Sequence, residues 1–575
     1  MTHGSGDLSN HGAMLQWRLY GAGFDNLGRD GRPERVVIPE PGPDELLVRC
    51  DACGLCFSDT KVIGLGADHP RMAGRDLGVD PVTLGHELVC TVVTAGSRRA
   101  ARFSPGERYV VQADIFYKGR SMAFGYVFRG GLSQYALIPA EALDGDEGCY
   151  LMAVAPQTGY VEAALTEPWA CVVAAYEQRW REEPAASGSM LVVDDGSVAA
   201  GNIDLTPIQS AAPTTIVACG ASRELLNRLT PLCGLLESVP MHARWADQLI
   251  AERPAQFDDM LLIGTEAANH ATAAGALLAD RGICVLLTDS LPLGATPLDV
   301  GRIHYNCHRY VAALPEKLGD AWRMRRSAQL QPGGRCMIIG AGGPMGQMHL
   351  QRAIDLAEPP ALIVGTEMNA PRLAALHQRY AKLAASRGIR LLLIDPAVQF
   401  NMNELVGTAE FDDVVCMAAA PEAIAQAAQF LAPAGWLNIF AGVARGTMAS
   451  LELSRLLTGA RIIGSSGSAL ADMRQTLEYV ECGKLNSNRS LAAIGGMEAA
   501  AHGLEDVKSG RYAGKALIFP HISGLGMTAL EQLGSVMPTV AAELEDGMFW
   551  TRRAEQELFR ITAAPEAEES EKETR

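Results

Sequence analysis

Two stretches of this chain repeat one another. "FDDMLLIGTEAANHATAAGALLADRGICVLLTD" from Phe257 and "FDDVVCMAAAPEAIAQAAQFLAPAGWLNIFAG" from Phe411 run through the same order of apolar strand, small-residue helix and apolar strand. The correspondence extends upstream, where "SMLVVDDGS" lies over "RCMIIGAGG" and "TTIVACGASRELLNRL" over "ALIVGTEMNAPRLAAL". Short apolar strands alternating with alanine- and leucine-rich helical patterns are the signature of βαβ units on a parallel sheet. The repeat therefore predicts two copies of one α/β domain, at 186–318 and 332–510.

The regions outside the repeat read differently. Before it, short β-like runs such as "ERVVIPEP", "DELLVRCDACG", "HELVCTVVTAG" and "LSQYALIPAE" are separated by Gly and Pro, which predicts a barrel-like β-rich region. From Pro520 onward the pattern turns helical, and the charged end "APEAEESEKETR" is expected to be disordered. With 575 residues, 48% of them hydrophobic, the chain has material for several well-filled cores. Its formal charge of -17, with no basic block beyond a short RMRR at 323–326, argues against nucleic acid or an anionic membrane as partner and favours a small-molecule substrate. The 13 cysteines are odd in number and scattered through apolar stretches, as expected of buried hydrophobes in a reducing, cytoplasmic compartment. Neither a signal-peptide pattern nor a run of about 18 apolar residues occurs, so no membrane span is expected.

The second copy carries a nucleotide signature. "CMIIGAGGPMGQMHLQRAID" is a strand, a glycine-rich turn and a helix start, and the next strand, "ALIVGTE", ends in Glu367. Glycines admit a close backbone approach, and the free N–H groups of a helix start can hold a pyrophosphate. An acid about 20 residues downstream suits the ribose hydroxyls and would repel a 2'-phosphate, so NAD is preferred over NADP. The cofactor residues are then Gly340, Gly342, Gly343, Pro344, Met345, Gly346 and Glu367, with Arg372 beyond them. The register stays ambiguous between a motif opened by Gly340 and Gly342 and one opened by Ala341 and Gly343; Gly346 serves both. In the first copy Asp194, Asp195, Gly196 and Ser197 stand at the glycine turn and Gly220 stands at the Glu367 position. Two carboxylates facing a pyrophosphate repel it, so this copy is expected to bind no nucleotide.

"CGLCFSDTK" at 53–61 is chemically open on its own: half a zinc site, a redox pair, or one ligand beside a bystander. It is followed by "TLGHELVC", with His86 and Glu87, and by "LTEPWACVVAAY", with Glu167. This ordered set, upstream of a nucleotide domain, resembles the zinc-dependent medium-chain dehydrogenase/reductase superfamily. The resemblance is nearest to sorbose-1-phosphate reductase-like and polyol dehydrogenases, through "FGYVFRGGLSQY", "EPWACVVAAY", "GPMG", "GWLNIFAG" and "PTVAAELEDGMFWTRRAEQEL".

That resemblance implies an α/β plus β protein: a GroES-like β-rich catalytic domain at 14–182, closed by 511–522, then two Rossmann-type doubly wound α/β domains, the first degenerate, and a helical tail at 523–575. It implies one catalytic zinc on Cys56, His86 and Glu167, with Glu87 beside them as a supporting or exchanging ligand and Cys53 a bystander. No structural zinc is implied, because the cysteine-rich lobe of other relatives is missing. A thiolate, an imidazole and a carboxylate suit zinc and leave one position open for substrate. Asp59 would orient the imidazole, Ser58 would take the alcohol proton, and Lys61 would extend the relay. "DVGRIHYNCHRYVAA" of the first copy resembles the corresponding reductase stretch better than the second copy does; His304, Tyr305 and Asn306 are read as relics rather than pocket residues. The expected activity is hydride transfer between NAD(H) and a secondary alcohol or ketone of a polyol, sugar or sugar phosphate. A zinc-free quinone or enoyl reductase and a catalytically silent NAD-binding scaffold are the rivals. Association is left between a homo-oligomer and an intrachain pseudo-dimer in which the first copy takes the place of a partner subunit.

Overall fold

The computed structural model describes residues 12–563 apart from 73, 179–180, 253–255, 290–292, 399–400 and 408. The charged C-terminal end lies outside the described residues. The chain divides into two compact units, one made of Met1–Ala170 with Ser468–Arg575, the other of Cys171–Gly467.

The first unit is β-rich. Its principal strands are β1 (Leu46–Leu55) and β2 (Glu87–Ala95), paired antiparallel with Gly54 opposite Glu87. Strand Lys515–Phe519 returns from the far end of the sequence to pair antiparallel with the other edge of β1, placing Ile518 opposite Cys53 and Ala516 opposite Leu55. One face of this sheet fills a core of Val48, Cys50, Cys53, Leu55, Leu88, Cys90, Phe124 and Ile518, which is what fixes the β1 register. The nucleotide domain, expected to run to 510, gives up its last segment to this unit. Strand Leu491–Gly496 pairs with Lys515–Phe519 and not with the parallel sheet, so 468–510 belong to the first unit.

The second unit is built on one 12-stranded sheet. Its strands are β3 (Ser189–Asp194), β4 (Thr215–Cys219), β5 (Leu235–Val239), β6 (Phe257–Ile263), β7 (Leu278–Leu287), β8 (Arg309–Ala313), β9 (Arg335–Ile339), β10 (Leu362–Thr366), β11 (Arg390–Ile394), β12 (Phe411–Cys416), β13 (Leu431–Ile439) and β14 (Arg461–Gly464). Across the sheet they run β5-β4-β3-β6-β7-β8-β14-β13-β12-β9-β10-β11. Each half is parallel within itself and has the strand order of a doubly wound nucleotide fold, read inward from its own edge. The halves meet where β8 pairs antiparallel with β14 at Tyr310 and Ile462. A second antiparallel pair, Ala295–Asp299 with Met448–Glu452, joins them again, centred on Pro297 opposite Ser450. Alternate side chains divide between two cores: Leu191 and Val193 face one, Met190 and Val192 the other.

Details repeat between the halves. The register of β6 on β7 slips between Phe257 and Asp259, and that of β12 on β13 between Phe411 and Asp413. Asp259 pairs with Arg181 at 2.8 Å and Asp413 with Arg326 at 2.6 Å. Asp258 accepts the Ser189 N–H at 2.8 Å, and Asp412 the Arg335 N–H at 2.8 Å. The two carboxylates that open each "FDD" stretch thus fasten the loop before the first strand of their own half.

Candidate active site

The CGLC loop resolves into four different jobs. Cys53 is fully buried, and a Cβ on Gly85, which sits at φ +95°, would come within 2.6 Å of its sulfur. Burial pushes this thiol well above its ordinary pKa, so it packs and does not react. Gly54 is there because Glu87 lies across it: a Cβ would stand 2.0 Å from Glu87 Oε2. Leu55 joins the core, and Cys56 ends the strand and begins helix α1 (Phe57–Leu65), with its thiol half-buried at the site.

Helix α1 starts on Asp59, whose Oδ2 accepts the Cys56 N–H at 3.0 Å. The other oxygen, Oδ1, lies 3.1 Å from His86 Nδ1. One fully buried carboxylate therefore caps the helix that carries Cys56 and holds the imidazole, leaving Nε2 as the nitrogen directed at the thiol. Cys56, His86 and Glu87 each present a donor atom within 4.8 Å of the others. Lys515, buried at the start of the returning strand, forms an ion pair with Glu87 through Oε1. Burial acts to lower the lysine's pKa, but Glu87 outweighs it and the net shift is upward, so the ammonium stays charged. Glu87 Oε2 is buried and accepts nothing among the described residues. A carboxylate oxygen left unsatisfied beside a thiol and an imidazole is what a cation would complete, and the donor set fits zinc.

The reading from sequence put Glu167 in the ligand set and Glu87 beside it. In the structure Glu87 stands with Cys56 and His86, and Glu167, at the start of helix α2 (Thr166–Tyr176), lies within electrostatic reach of both His86 and Glu87. The enclosing protein pushes the Glu167 carboxyl up to about 7, His86 opposing the shift and Glu87 adding to it. Ser58 Oγ lies 3.3 Å from His86 Nε2. Lys61, on the same helix, has its ammonium 5.8 Å from the Phe57 ring centroid and raises the local potential at His69.

Three neighbours escaped the sequence reading. Lys515 is one; its only signal is an isolated charge at the head of the apolar run "GKALIF". Tyr126 packs on His86 at 5.5 Å between ring centroids and hydrogen-bonds the Ser58 side chain, with burial pushing its phenol up to about 12. Arg71 has its guanidinium 5.0 Å from the Tyr126 ring centroid and pairs with Asp114 at 2.7 Å.

In the second unit the glycine turn follows β9. Gly340 takes φ +81°, and its N–H and that of Ala341 both bond the Thr366 carbonyl, at 3.1 and 2.8 Å. A Cβ on Gly342 would meet Glu367 Oε2 at 2.2 Å, and one on Gly346 would meet the Gly340 carbonyl at 2.4 Å. Gly343 faces open space and caps helix α3 (Pro344–Asp355), which begins with Pro344, Met345 and Gly346. The two registers left open by the sequence thus divide the work: Gly340 turns, Gly342 admits Glu367, Gly343 opens the helix N-terminus, and Gly346 lets the helix lie on the strand. Glu367 is buried, with Oε1 held by the Asn369 N–H at 2.8 Å, and Asn369 in turn caps the helix of Arg372 through the Arg372 N–H at 3.0 Å.

At the matching place in the first half, Asp195 turns back on its own loop. It accepts N–H bonds from Ser197 at 2.8 Å and from Glu266 at 2.7 Å, and the Ser197 hydroxyl at 2.6 Å. Burial raises the pKa of this carboxyl, but those donors outweigh it, and the net shift is downward. The anion that this turn accommodates is a side chain of the protein. The His304 ring is 4.5 Å from that of Tyr305 and bonds the Ile439 carbonyl at 3.2 Å, and Asn306 bonds Asp280.

Residues 42–144 match the family model described as "Alcohol dehydrogenase GroES-like domain". Among curated proteins, the chain is 22% identical over 498 residues to "Uncharacterized protein YggP" of Escherichia coli (strain K12), covering 84% of this chain and 83% of that one. It is 22% identical over 542 residues to mannitol-1-phosphate 5-dehydrogenase of Aliivibrio fischeri, covering 91% and 93% of the two chains. It is 33% identical over 165 residues to L-sorbose 1-phosphate reductase of Klebsiella pneumoniae, covering 28% of this chain and 38% of that one. The region that matches the GroES-like domain model thus holds the Cys56, His86 and Glu87 cluster, and the chain is similar to alcohol and polyol dehydrogenases.

Proposed function

We propose that this protein is a zinc-dependent oxidoreductase that moves hydride between NAD(H) and a secondary alcohol or ketone of a polyol, sugar or sugar phosphate. The observation that carries the reading is the convergence of Cys56, His86 and Glu87, with Glu87 Oε2 buried and unsatisfied. The relatives above, acting by name on mannitol 1-phosphate and L-sorbose 1-phosphate, support the substrate class. Zinc held there supplies Lewis acidity toward the substrate oxygen, and the nicotinamide supplies or accepts the hydride. The chain's own residues do the rest. Asp59 fixes the His86 tautomer, Ser58 lies where it can take the alcohol proton, and Tyr126 holds the Ser58 hydroxyl. Lys61 is the candidate for passing that proton outward. Gly340 to Gly346 would hold the pyrophosphate and Glu367 the ribose hydroxyls, which favours NAD over NADP.

Elemental mass spectrometry of the purified full-length protein, beside a Cys56→Ser, His86→Ala double variant, tests the centre of this reading. One zinc per chain, absent from the variant together with NAD-linked turnover of polyols or their phosphates, is the expected result. A wild type without zinc would overturn the metal mechanism and favour a metal-free reductase.

The association state belongs to the same proposal. β8 of the first half covers the edge of β14 that the nucleotide-binding half would otherwise expose, so the first half serves as a built-in partner. Sedimentation at the mass of one chain is expected; a dimer cross-linked through β14 would end the idea. A reducing, cytoplasmic location is in keeping with 13 unpaired cysteines, and no helix among the described residues is long and apolar enough to cross a membrane.

A further inference from the structure

Beside the Cys56, His86 and Glu87 cluster lie basic side chains of which the proposed reaction draws only on Lys61. Tyr126 is their common neighbour: its ring meets His86 at 5.5 Å and His69 at 5.7 Å between centroids, with the Arg71 guanidinium 5.0 Å from its centroid. His69 Nδ1 accepts the Arg71 N–H at 3.3 Å, which places the ring proton on Nε2 as a donor. Burial, Arg71 and Lys61, in that order, hold the His69 imidazolium below its ordinary pKa, so His69 stands as a neutral imidazole beside the two cations. Two acids face this group. Asp114 pairs with Arg71 through Nη1 at 2.7 Å, and Glu167 lies within electrostatic reach from the metal side. The Arg71 side chain is 39% exposed, so the fork that pairs with Asp114 also opens to solvent.

We infer that Arg71, with His69 and Lys61, forms a subsite for the phosphate of a phosphorylated polyol or ketose whose reacting hydroxyl or carbonyl lies at the Cys56, His86 and Glu87 cluster. The inference rests on the proposed function and narrows its substrate class. A guanidinium fork suits the planar, bidentate recognition of a phosphate dianion, and an ammonium and a neutral imidazole N–H add donors beside it. The placement also fits: His86 and Arg71 are both neighbours of the Tyr126 ring, 5.5 and 5.0 Å from its centroid, so Arg71 is within reach of the far end of a short extended polyol held at the cluster. An uncharged polyol would reach the cluster equally well but leave these basic groups unanswered. Arg71 is thus a specificity residue, acting on the end of the substrate remote from the chemistry.

Titration calorimetry of the zinc-loaded full-length protein, with sorbitol and with sorbitol 6-phosphate as probes, reads the subsite directly. The ester is expected to bind at least about 30-fold more tightly than the free polyol. Arg71→Met is expected to bring that ratio to within about threefold, with Arg71→Lys intermediate. Arg98→Met, at an exposed ion pair with Asp44, is the charge control and should leave the ratio unchanged. A wild type that does not distinguish the two probes, or an Arg71→Met protein that keeps the full ratio, overturns the inference. Arg71→Lys guards against loss of folding in the methionine variant, since it must still weaken the ester selectively. Zinc content and turnover of the same sample separate the two claims: a zinc-loaded, active protein blind to phosphate sinks the subsite alone, whereas a zinc-free, inactive one sinks the function.

Discussion

The two halves of the parallel sheet share strand order, a register slip at the same place and an Asp–Arg fastening of the same design, yet they differ at one turn. After β9 the chain reads Gly340, Ala341, Gly342, Gly343; after β3 it reads Asp194, Asp195, Gly196, Ser197. In the first case a Cβ on Gly343, at the helix start, would meet nothing within 4 Å. In the second, Asp195 fills the turn and a Cβ on Gly264 would strike it at 1.8 Å. The same scaffold thus carries two different turns, and a few side chains at one strand end make the difference.

Gly346→Val offers the hardest test of that contrast. The new side chain meets the Gly340 carbonyl and Ala341, and NAD affinity by calorimetry is expected to fall at least about a hundredfold. Ser197→Val, in the first half, should leave it within about twofold; a comparable loss there would mean that the first half binds nucleotide too.

Next in size is the fastening. Asp259→Ala and Asp413→Ala each remove a buried carboxylate from a half-buried arginine partner, and each is expected to cost about 3 kcal/mol in denaturant unfolding. Equal costs sharpen the equivalence of the halves; a large inequality breaks it.

Glu367→Gln is a milder change. It keeps the shape and removes the charge that disfavours a 2'-phosphate, so the preference for NAD over NADP should shrink about tenfold, read as a ratio of kcat/KM values. No change in the ratio would remove Glu367 from the ribose site.

The smallest expected effect is at Asp195, whose folded pKa is depressed. Its contribution to stability is present above the unfolded carboxyl pKa of about 4 and is lost as pH falls through the lower folded value. Asp195→Asn should cost about 1 kcal/mol at neutral pH and flatten that acid limb, without creating NAD affinity. If the variant gains NAD binding, repulsion by Asp194 and Asp195 together was not what closed the turn.

Much of this was legible in the chain because it rests on local pattern. The repeat follows from strand and helix periodicity, and the glycine turn from backbone freedom at Gly340. Cys56, Asp59 and His86 could be assigned through motifs whose residues are near neighbours in sequence. Even the contrast between the two turns is visible, since a carboxylate against a glycine needs no coordinates to interpret. Other features were not legible. Residues 468–510 join the catalytic unit because strand Leu491–Gly496 finds its partner at 515–519, a pairing no periodicity announces. The Glu87 side chain stands beside Cys56 and His86 because Gly54, across the sheet, leaves room for it. Lys515 reaches Glu87 across 428 positions, and Arg71 meets the site's surroundings at the Tyr126 ring.

The sequence by itself determined the kinds of domain, the nucleotide turn and the chemical types of the metal donors, since these depend on neighbouring residues and on short-range sterics and charge. Tertiary structure decided that Glu87 lies beside Cys56 and His86, what charge stands behind it, and that β8 pairs with β14. Those outcomes depend on strand pairing between segments far apart in the chain, where register, and not composition, sets which side chains meet.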